Sequence, residues 1–171
     1  AFEWLKKAWT EGEPGVLLAD DMGLGKTVQA LAFMAWMHGL MDTGQLTRRP
    51  MLVVAPTGLL RNWIKERTTH LERDGLGSHV EAFGSGLKSL RRGQPDTVTG
   101  EIGLDLAAIS KAGWVLTSYE TYRDYQLSFG RVTWSLAVFD EVQKVKSPAA
   151  AMTEAAWSTT TEFVLALTGT P

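Results

Sequence analysis

A glycine-rich turn near the start of the chain has the residue types that bind a phosphate group. Glycines allow backbone N–H groups to approach phosphate oxygens, and the N-terminus of a following helix favours negative charge. A lysine and a hydroxyl at the end of such a turn can bind the β- and γ-phosphates of ATP and a Mg²⁺ ion, although Asp20 stands where the usual motif has its first glycine. We therefore predict an ATP site with Thr27 as a metal ligand, formed by Met22, Gly23, Leu24, Gly25, Lys26 and Thr27.

Two adjacent acids, Asp140 and Glu141, come directly after the apolar run Leu136–Phe139. If that run is a strand, both carboxylates lie at the carboxyl edge of the sheet, beside the phosphate-binding turn. We expect Asp140 to hold Mg²⁺, through water, and Glu141 to orient or deprotonate the attacking water. An acidic pair after a strand often caps a helix instead, and it is the phosphate-binding turn upstream that favours catalysis.

The elements that must position these residues can be recognised from short apolar runs separated by helix-like segments. The runs are nearly continuous rather than alternating, which is typical of strands buried on both faces of a parallel sheet. They are Gly15–Ala19, Met51–Ala55, Trp114–Ser118, Leu136–Phe139 and Phe163–Leu167. Helices are predicted at Thr27–Leu40 and Gly58–Leu71. This alternation predicts an α/β fold in three layers, α/β/α, with a mainly parallel sheet.

Two loops between strand and helix carry hydroxyl and N–H groups that suit the phosphate backbone of a nucleic acid. Pro56 and Thr57 follow one predicted strand, and Thr117 and Ser118 end another. Ordinary helix capping explains both loops equally well, with Thr57 as the cap of the helix at Gly58–Leu71. The two alternatives stay open on the sequence alone. At Ser147-Pro148 we predict an N-cap with proline at the first helical position.

The charged residues are unevenly distributed along the chain. Between Arg48 and Arg92 there are nine basic and four acidic residues, whereas the whole chain has a net charge of −2. Such a basic segment suits a phosphate backbone, with Arg91 and Arg92 as candidate contacts, but a solvated helix face is a commoner cause. The glycine-rich stretch Gly84–Gly103 is predicted to be a mobile surface excursion with at most one short helix.

Composition limits the class of protein. With 171 residues, 44% of them apolar and 21% charged, the chain fits one globular domain that we expect to be intracellular. The absence of cysteine excludes disulfides, iron–sulfur clusters, thiolate zinc sites and thiol nucleophiles, and the three histidines lack metal-ligand spacing. The longest uncharged stretch, Thr27–Met41, is too short for a membrane span, so no membrane partner is expected. Because the chain starts at Ala1 and stops abruptly at Pro171, we interpret it as part of a longer protein.

Taken in order, the motifs resemble the N-terminal RecA-like lobe of Swi/Snf-family DNA-dependent ATPases, in helicase superfamily two. The resemblance covers nearly the whole chain, and five motifs in the correct order are far more specific than any one of them. They lie at Leu17–Gln29, at Val53–Pro56 with Leu59, Leu60, Asn62 and Trp63, at Val115–Thr121, at Asp140–Pro148 and at Leu167–Pro171.

The resemblance implies a function and a role for each motif residue. Lys26 and Thr27 would bind the ATP phosphates and Mg²⁺, Asp140 and Glu141 would bind the metal and activate water, and double-stranded DNA would be the track for translocation. Gln143 would link the nucleotide site to the coupling segment formed by Thr168, Gly169 and Thr170. The sequence departs from the family pattern at Val142, where alanine is usual, and at Gln143, a common variant of histidine.

The same resemblance implies that residues 1–171 are a single lobe. A second RecA-like lobe of the same protein would supply arginine fingers, which are worth roughly 10³–10⁵ in rate. We therefore expect the isolated chain to hydrolyse ATP negligibly. Localisation would be cytoplasmic and nucleoid-associated in a bacterium, or nuclear in a eukaryote.

Three other functions remain open. A small-molecule P-loop kinase has a similar phosphate turn, but it leaves Asp140-Glu141 and the terminal Thr168-Gly169-Thr170 unexplained. A non-hydrolysing nucleotide-binding scaffold lobe is less favoured, since degenerate copies often lose one of Lys26, Thr27, Asp140 and Glu141. An RNA- or DNA-directed helicase of the same superfamily differs in its nucleic acid, which stimulation by duplex DNA or by RNA would distinguish.

Overall fold

A six-stranded, all-parallel sheet forms the centre of the protein in the computed structural model, which describes residues 1–19, 25–72, 75–92, 102–144 and 159–169. Its strands are β1 (Gly15–Ala19), β2 (Met51–Ala55), β3 (His79–Ala82), β4 (Trp114–Ser118), β6 (Leu136–Phe139) and β8 (Val164–Thr168). The strand order across the sheet is β1-β8-β6-β2-β4-β3. Two shorter strands, β5 (Thr133–Trp134) and β7 (Thr160–Thr161), pair with each other outside it.

The five predicted strands are confirmed, and the six-stranded sheet has one strand more than predicted. Four have the predicted bounds, and the fifth is displaced by one residue, to Val164–Thr168. The sixth strand, β3, was not predicted because this edge strand is only partly buried and carries His79 and Glu81, so it lacks an apolar run. The short strands β5 and β7 outside this sheet were not predicted either. The inner strands β2, β4 and β6 are buried along their whole length, as a sheet covered on both faces requires.

The helices pack on the two faces of the sheet in separate apolar layers. They are α1 (Phe2–Thr10), α2 (Lys26–Asp42), α3 (Leu60–His70), α4 (Gly84–Leu90), α5 (Leu106–Lys111), α6 (Tyr119–Asp124) and α7 (Gln126–Gly130). One core cluster contains side chains of α1, α2 and α3, and the other contains side chains of α4 to α7. The three-layer prediction is therefore confirmed. None of the helices within the described ranges is long and apolar enough to cross a bilayer.

The predicted helices differ from α2 and α3 by one or two residues at each end, and the predicted cap of α3 is wrong. Residues Thr57–Leu59 form a 3₁₀ turn, and α3 begins after Leu59 without a side-chain cap, so the prediction that Thr57 caps this helix is wrong. The short helix predicted within Gly84–Gly103 is α4, while residues 93–101 of that stretch, and Ser147 and Pro148, lie outside the described residues.

Strand register brings the ends of the strands that carry motifs to one edge of the sheet. Ala19 at the end of β1 is paired with Thr168 at the end of β8, and Ala55 of β2 is paired with Ser118 of β4. Phe139, the last residue of β6, lies between Val54 and Ala166 in neighbouring strands. The ends of these strands therefore lie together at the carboxyl edge of the sheet, where open α/β sheets bind ligands.

Candidate nucleotide site

A cavity of about 270 Å³ opens where the N-terminus of α2, the start of α3 and the segment after β6 come together. Its lining residues are Gly25, Lys26, Thr27, Val28, Leu59, Asn62, Glu66, Asp140 and Glu141. The structure thus brings the predicted phosphate-binding residues and the predicted acids to one place, although more than a hundred residues separate them in the chain. The predicted ATP-binding residues Met22, Gly23 and Leu24 lie outside the described residues.

The junction between the phosphate-binding turn and α2 depends on Gly25. Its φ of 70° lies in the left-handed region, which glycine adopts without a steric penalty, and it is the N-cap of α2. Lys26 and Thr27 are consequently the first two residues of the helix, where N–H groups lack intrahelical partners and the dipole favours an anion. Lys26 is only 9% exposed, and its charge acts on Asp140.

Asp140 is held at the edge of the sheet by several groups. Its side chain is 5% exposed, and its backbone N–H donates to the Val54 carbonyl at 2.9 Å. The Trp63 indole Nε1–H donates to Asp140 Oδ2 at 2.8 Å, and the Tyr119 hydroxyl donates to the Asp140 carbonyl oxygen at 2.9 Å. These contacts reach Asp140 from three elements, β2, α3 and α6, and fix both its backbone and its carboxylate.

The electrostatic environment of Asp140 is suited to a cation. Burial raises the pKa of its carboxyl group above the ordinary range, and the charge of Glu141 acts in the same direction. The hydrogen bond from Trp63, the backbone N–H of Glu141 and the charge of Lys26 oppose that rise in pKa. A buried carboxylate with a raised pKa is stabilised when a cation binds beside it. Burial, followed by the charges of Asp140 and Glu141, raises the pKa of Tyr119, so its hydroxyl stays protonated and can donate.

Glu141 occupies an uncommon backbone conformation and joins a chain of polar side chains. Its φ of 52° is in the left-handed region, which is uncommon for residues with a side chain and recurs at functional sites. Gln143 Nε2 donates to Glu141 Oε2 at 2.7 Å, and Thr168 Oγ1 donates to Gln143 Oε1 at 2.7 Å. A continuous hydrogen-bonded path therefore connects the end of β8 to this acid. Gly169 follows Thr168 and is buried, and Thr170 lies outside the described residues.

The donor set fits a magnesium–nucleotide complex. Two carboxylates and the Thr27 hydroxyl are hard oxygen ligands of the kind Mg²⁺ prefers, and the ion usually completes its shell with water and substrate phosphates. Within the part of the chain that the structure describes, no group of three or more histidine, aspartate or glutamate side chains is arranged to hold a metal by itself. Asp140 and Thr27 would therefore hold Mg²⁺ together with nucleotide oxygens, and Lys26 would bind the phosphates.

The residues predicted to contact a nucleic acid are not equally available. Thr117 is 0% exposed, and its hydroxyl donates to the Ala82 carbonyl at 3.0 Å inside the sheet, so it cannot contact a nucleic acid in this conformation. Ser118 is also buried, and its hydroxyl accepts from the Thr121 backbone N–H at 3.2 Å as the cap of α6. For this loop, helix capping accounts for the Ser118 hydroxyl, and a bond across the sheet accounts for the Thr117 hydroxyl.

The remaining candidates lie at the surface. Pro56 is half-buried and Thr57 is exposed, with the Thr57 hydroxyl donating to Glu120 Oε2 at 3.2 Å. Arg91 and Arg92 are exposed directly after α4, and the Arg91 guanidinium lies 5.7 Å from the centre of the Tyr125 ring. These side chains are available to a ligand that approaches the surface.

The contacts of Trp63 and Tyr119 with Asp140 were not predicted. In the sequence, Trp63 was identified only as one of several motif residues. A buried indole N–H or phenol O–H normally finds a hydrogen-bond partner, which is the signal that each side chain has a polar role. The sequence does not reveal that both partners belong to Asp140.

Comparison with known proteins identifies the family of the chain. All of residues 1–171 match the family described as SNF2-related domain. Zorya protein ZorD of Escherichia coli O139:H28 (strain E24377A / ETEC) is 36% identical over 177 residues, which cover 98% of this chain and 16% of that protein. The chromatin-remodeling ATPase INO80 of Arabidopsis thaliana is 33% identical over 175 residues, which cover 99% of this chain and 10% of that protein. The chain thus spans 16% or less of these relatives.

A solved structure extends the likeness to the fold. The Sulfolobus solfataricus SWI2/SNF2 ATPase core in complex with dsDNA matches with a TM-score of 0.69 and 29% identity, covering 99% of this chain and 30% of that one. A second structure, of the Sulfolobus solfataricus SWI2/SNF2 ATPase core domain, matches with a TM-score of 0.65 and 29% identity, covering 99% of this chain and 30% of that one. The family match over every residue and the shared parallel sheet show that this chain belongs to the SNF2-related family and has the fold of the Swi/Snf ATPase core.

Proposed function

We propose that this chain is the N-terminal ATP-binding lobe of a DNA-dependent ATPase that translocates on double-stranded DNA. The observation that carries the proposal is the meeting of Lys26, Thr27, Asp140 and Glu141 at one cavity, with Glu141 connected through Gln143 to Thr168. Binding of nucleotide alone requires only the phosphate-binding residues. Hydrolysis additionally requires an acid that is held in place, and its coupling to movement requires a connection from that acid to other parts of the protein. The hydrogen bonds from Thr168 through Gln143 to Glu141 provide both.

Each residue of the site has a proposed task. Lys26 and the N-terminus of α2 bind the β- and γ-phosphates, and Thr27 and Asp140 hold the magnesium ion. When bound, Mg²⁺ neutralises charge on the phosphates. Glu141 orients the attacking water and accepts its proton, while the hydrogen bond from Gln143 fixes one of the two Glu141 carboxylate oxygens. Thr168, Gly169 and Thr170 transmit the state of the site to the DNA-binding surface.

Residues 1–171 would form one RecA-like lobe, and the second lobe would lie elsewhere in the full-length protein. Two facts support this division: the chain covers 30% of the Sulfolobus ATPase core, and the cavity is built from the edge of a single sheet. Arginine residues from a second lobe would stabilise charge on the transferred phosphoryl group. Without them, we expect ATP turnover by the chain alone to be negligible.

Double-stranded DNA is the proposed partner. Its support is the exposed pair Arg91 and Arg92, the exposed hydroxyl of Thr57 and the likeness to a neighbour that was solved in complex with dsDNA. Contacts of this kind bind the phosphate backbone and carry no sequence information. Such an ATPase would work at the nucleoid of a bacterium or in the nucleus of a eukaryote.

The test is the rate of ATP turnover by the full-length protein without nucleic acid and with duplex DNA, single-stranded DNA or duplex RNA. We expect duplex DNA to give the largest stimulation. Stimulation by RNA alone would instead identify an RNA-directed helicase of the same superfamily. Nucleotide binding without any turnover, in the presence of every nucleic acid, would identify a non-hydrolysing scaffold lobe.

A further inference from the structure

The indole of Trp63 has an uncommon hydrogen-bond partner for a core side chain. Trp63 is 0% exposed and packs in the apolar cluster between the sheet and helices α1, α2 and α3. Its Nε1–H nevertheless donates to the buried carboxylate of Asp140 at 2.8 Å, across 77 residues of chain. A hydrogen bond to an ionised acceptor in a buried place is stronger than one between neutral groups, and its loss is correspondingly costly.

Two other buried tryptophans show that packing alone does not require this contact. The indole of Trp134 donates to the Phe129 backbone carbonyl at 3.0 Å. The Nε1 of Trp114 has no hydrogen-bond partner among the described residues, and its ring stacks on His79 with 5.4 Å between ring centres. All three indoles are fully buried, but only that of Trp63 contacts a side chain that lines the nucleotide cavity.

We propose that Trp63 is a positioning residue for the magnesium–nucleotide site, an inference that rests on the proposed function. Its N–H holds one Asp140 oxygen in place, while the Tyr119 hydroxyl holds the backbone carbonyl of the same residue. The carboxylate is thereby oriented before any ligand arrives. Donors that orient a metal-binding carboxylate typically contribute 10–100-fold in metal affinity.

The position of Trp63 gives the contact a rigid support. Trp63 is the fourth residue of α3, which begins directly after the 3₁₀ turn Thr57–Leu59. The preceding residue, Asn62, lines the cavity. The indole has two rotatable bonds and is enclosed by the core, so it costs little conformational entropy to hold Asp140 in one orientation. A flexible donor at the surface would orient the carboxylate less well.

The experiment compares Trp63→Phe with Trp134→Phe in the full-length protein. Each substitution removes one buried indole N–H, but the partner of Trp134 is a backbone carbonyl outside the site. A fluorescent, non-hydrolysable ATP analogue is titrated at a series of Mg²⁺ concentrations and in excess chelator. For Trp63→Phe, we expect the Mg²⁺ concentration for half-maximal binding to rise about 10–100-fold. Affinity for the analogue in chelator should not change, and Trp134→Phe should match the wild type in both.

The Asp140→Asn background tests whether Trp63 acts through Asp140. In that background, Trp63→Phe should change the Mg²⁺ requirement by less than about twofold, because the two effects are coupled. A full effect of Trp63→Phe in the double variant would overturn the proposal. So would an equal Mg²⁺ requirement of Trp63→Phe and Trp134→Phe.

A measurement on the unmodified protein keeps the test decisive even if Trp63→Phe fails to fold. The protein is labelled with ¹⁵N-tryptophan, and the Trp63 indole signal is assigned by eliminating the signals that are lost in other Trp→Phe variants. This signal should shift when Mg²⁺ is added to the protein with nucleotide bound. The Trp134 signal should stay in place, and an unmoved Trp63 signal would overturn the proposal. If the wild type binds the analogue with no Mg²⁺ dependence, the proposed function fails and this inference fails with it. Mg²⁺-dependent binding with an unmoved Trp63 signal overturns the inference alone.

Discussion

Strands β6 and β8, and strands β4 and β2, end at the same edge of the sheet, but the polar side chains at these ends have different partners. At the ends of β6 and β8, Gln143 connects Glu141 to Thr168 by hydrogen bonds, and Asp140 and Glu141 line an open cavity. At the end of β4, the hydroxyls of Thr117 and Ser118 bond to the backbone of their own surroundings. At the end of β2, the exposed Thr57 hydroxyl contacts Glu120.

The difference shows what a motif after a strand does and does not specify. In a parallel sheet, a residue that follows a strand is necessarily at the carboxyl edge. Its side chain is available for a ligand only if no nearby backbone carbonyl or N–H group already bonds to it. The sequence does not reveal those backbone groups. The polar side chains at the ends of β6 and β8 belong to the candidate site. The hydroxyls at the end of β4 instead stabilise the surrounding backbone.

The largest effect is expected from Glu141→Gln in the full-length protein. Removal of the proton-accepting carboxylate should lower DNA-stimulated turnover about 10²–10⁴-fold, while nucleotide binding is retained. The control is Glu162→Gln, because Glu162 forms an ion pair with Arg49 outside the site. Turnover by Glu141→Gln at the wild-type rate would remove this acid from the mechanism.

The pair Thr168→Val and Thr117→Val tests the comparison directly. Both threonines are buried at the carboxyl ends of strands, and both donate one hydrogen bond. Loss of the bond to Gln143 should reduce turnover about tenfold, the effect of a bond worth about 1.4 kcal/mol. Thr117→Val should leave turnover and DNA affinity unchanged and lower the free energy of unfolding by about 1 kcal/mol. Equal effects of both variants on turnover would erase the distinction between the two strand ends.

A smaller effect is expected on DNA binding. Replacing Arg91 and Arg92 together with alanine should weaken binding to duplex DNA at low salt and reduce the salt dependence of the affinity by about one unit of slope for each lost phosphate contact. The binding isotherms at several salt concentrations measure both quantities. An unchanged slope would place the DNA surface elsewhere on the protein.

The smallest effect concerns the stability of the nucleotide-free protein and its dependence on pH. Because the pKa of Asp140 is raised in the folded state, its ionisation destabilises the fold. The penalty is absent below the unfolded-state pKa, about 4, grows as the pH rises from there towards the folded-state pKa, and is constant above it. Asp140→Asn should therefore be more stable than the wild type at pH 7, with the difference disappearing near pH 4 in denaturant titrations. A gain that does not vary with pH would contradict the burial of a charged carboxylate.

Much of the fold and of the nucleotide site was predictable from the sequence. Apolar runs identified five strands, of which β2, β4 and β6 are buried along their whole length and β8 along most of it. The edge strand β3 carries His79 and Glu81, has no apolar run and was not predicted. The phosphate turn and the acid pair are local patterns, and the parallel sheet brings them together. The contacts of Trp63 and Tyr119 with Asp140 were not predictable, since they depend on how a helix packs across a sheet. The buried Thr117 hydroxyl donates to the Ala82 carbonyl of β3, a strand that the apolar pattern did not predict.

The most direct measurement is ATP turnover by this chain alone and by the full-length protein, each with and without duplex DNA. Because the proposed site needs arginine residues from a second lobe, we expect negligible turnover by the chain alone and DNA-stimulated turnover by the full-length protein. Rapid turnover by the chain alone would mean that residues 1–171 contain the whole catalytic apparatus, and it would contradict the assignment of a two-lobed motor.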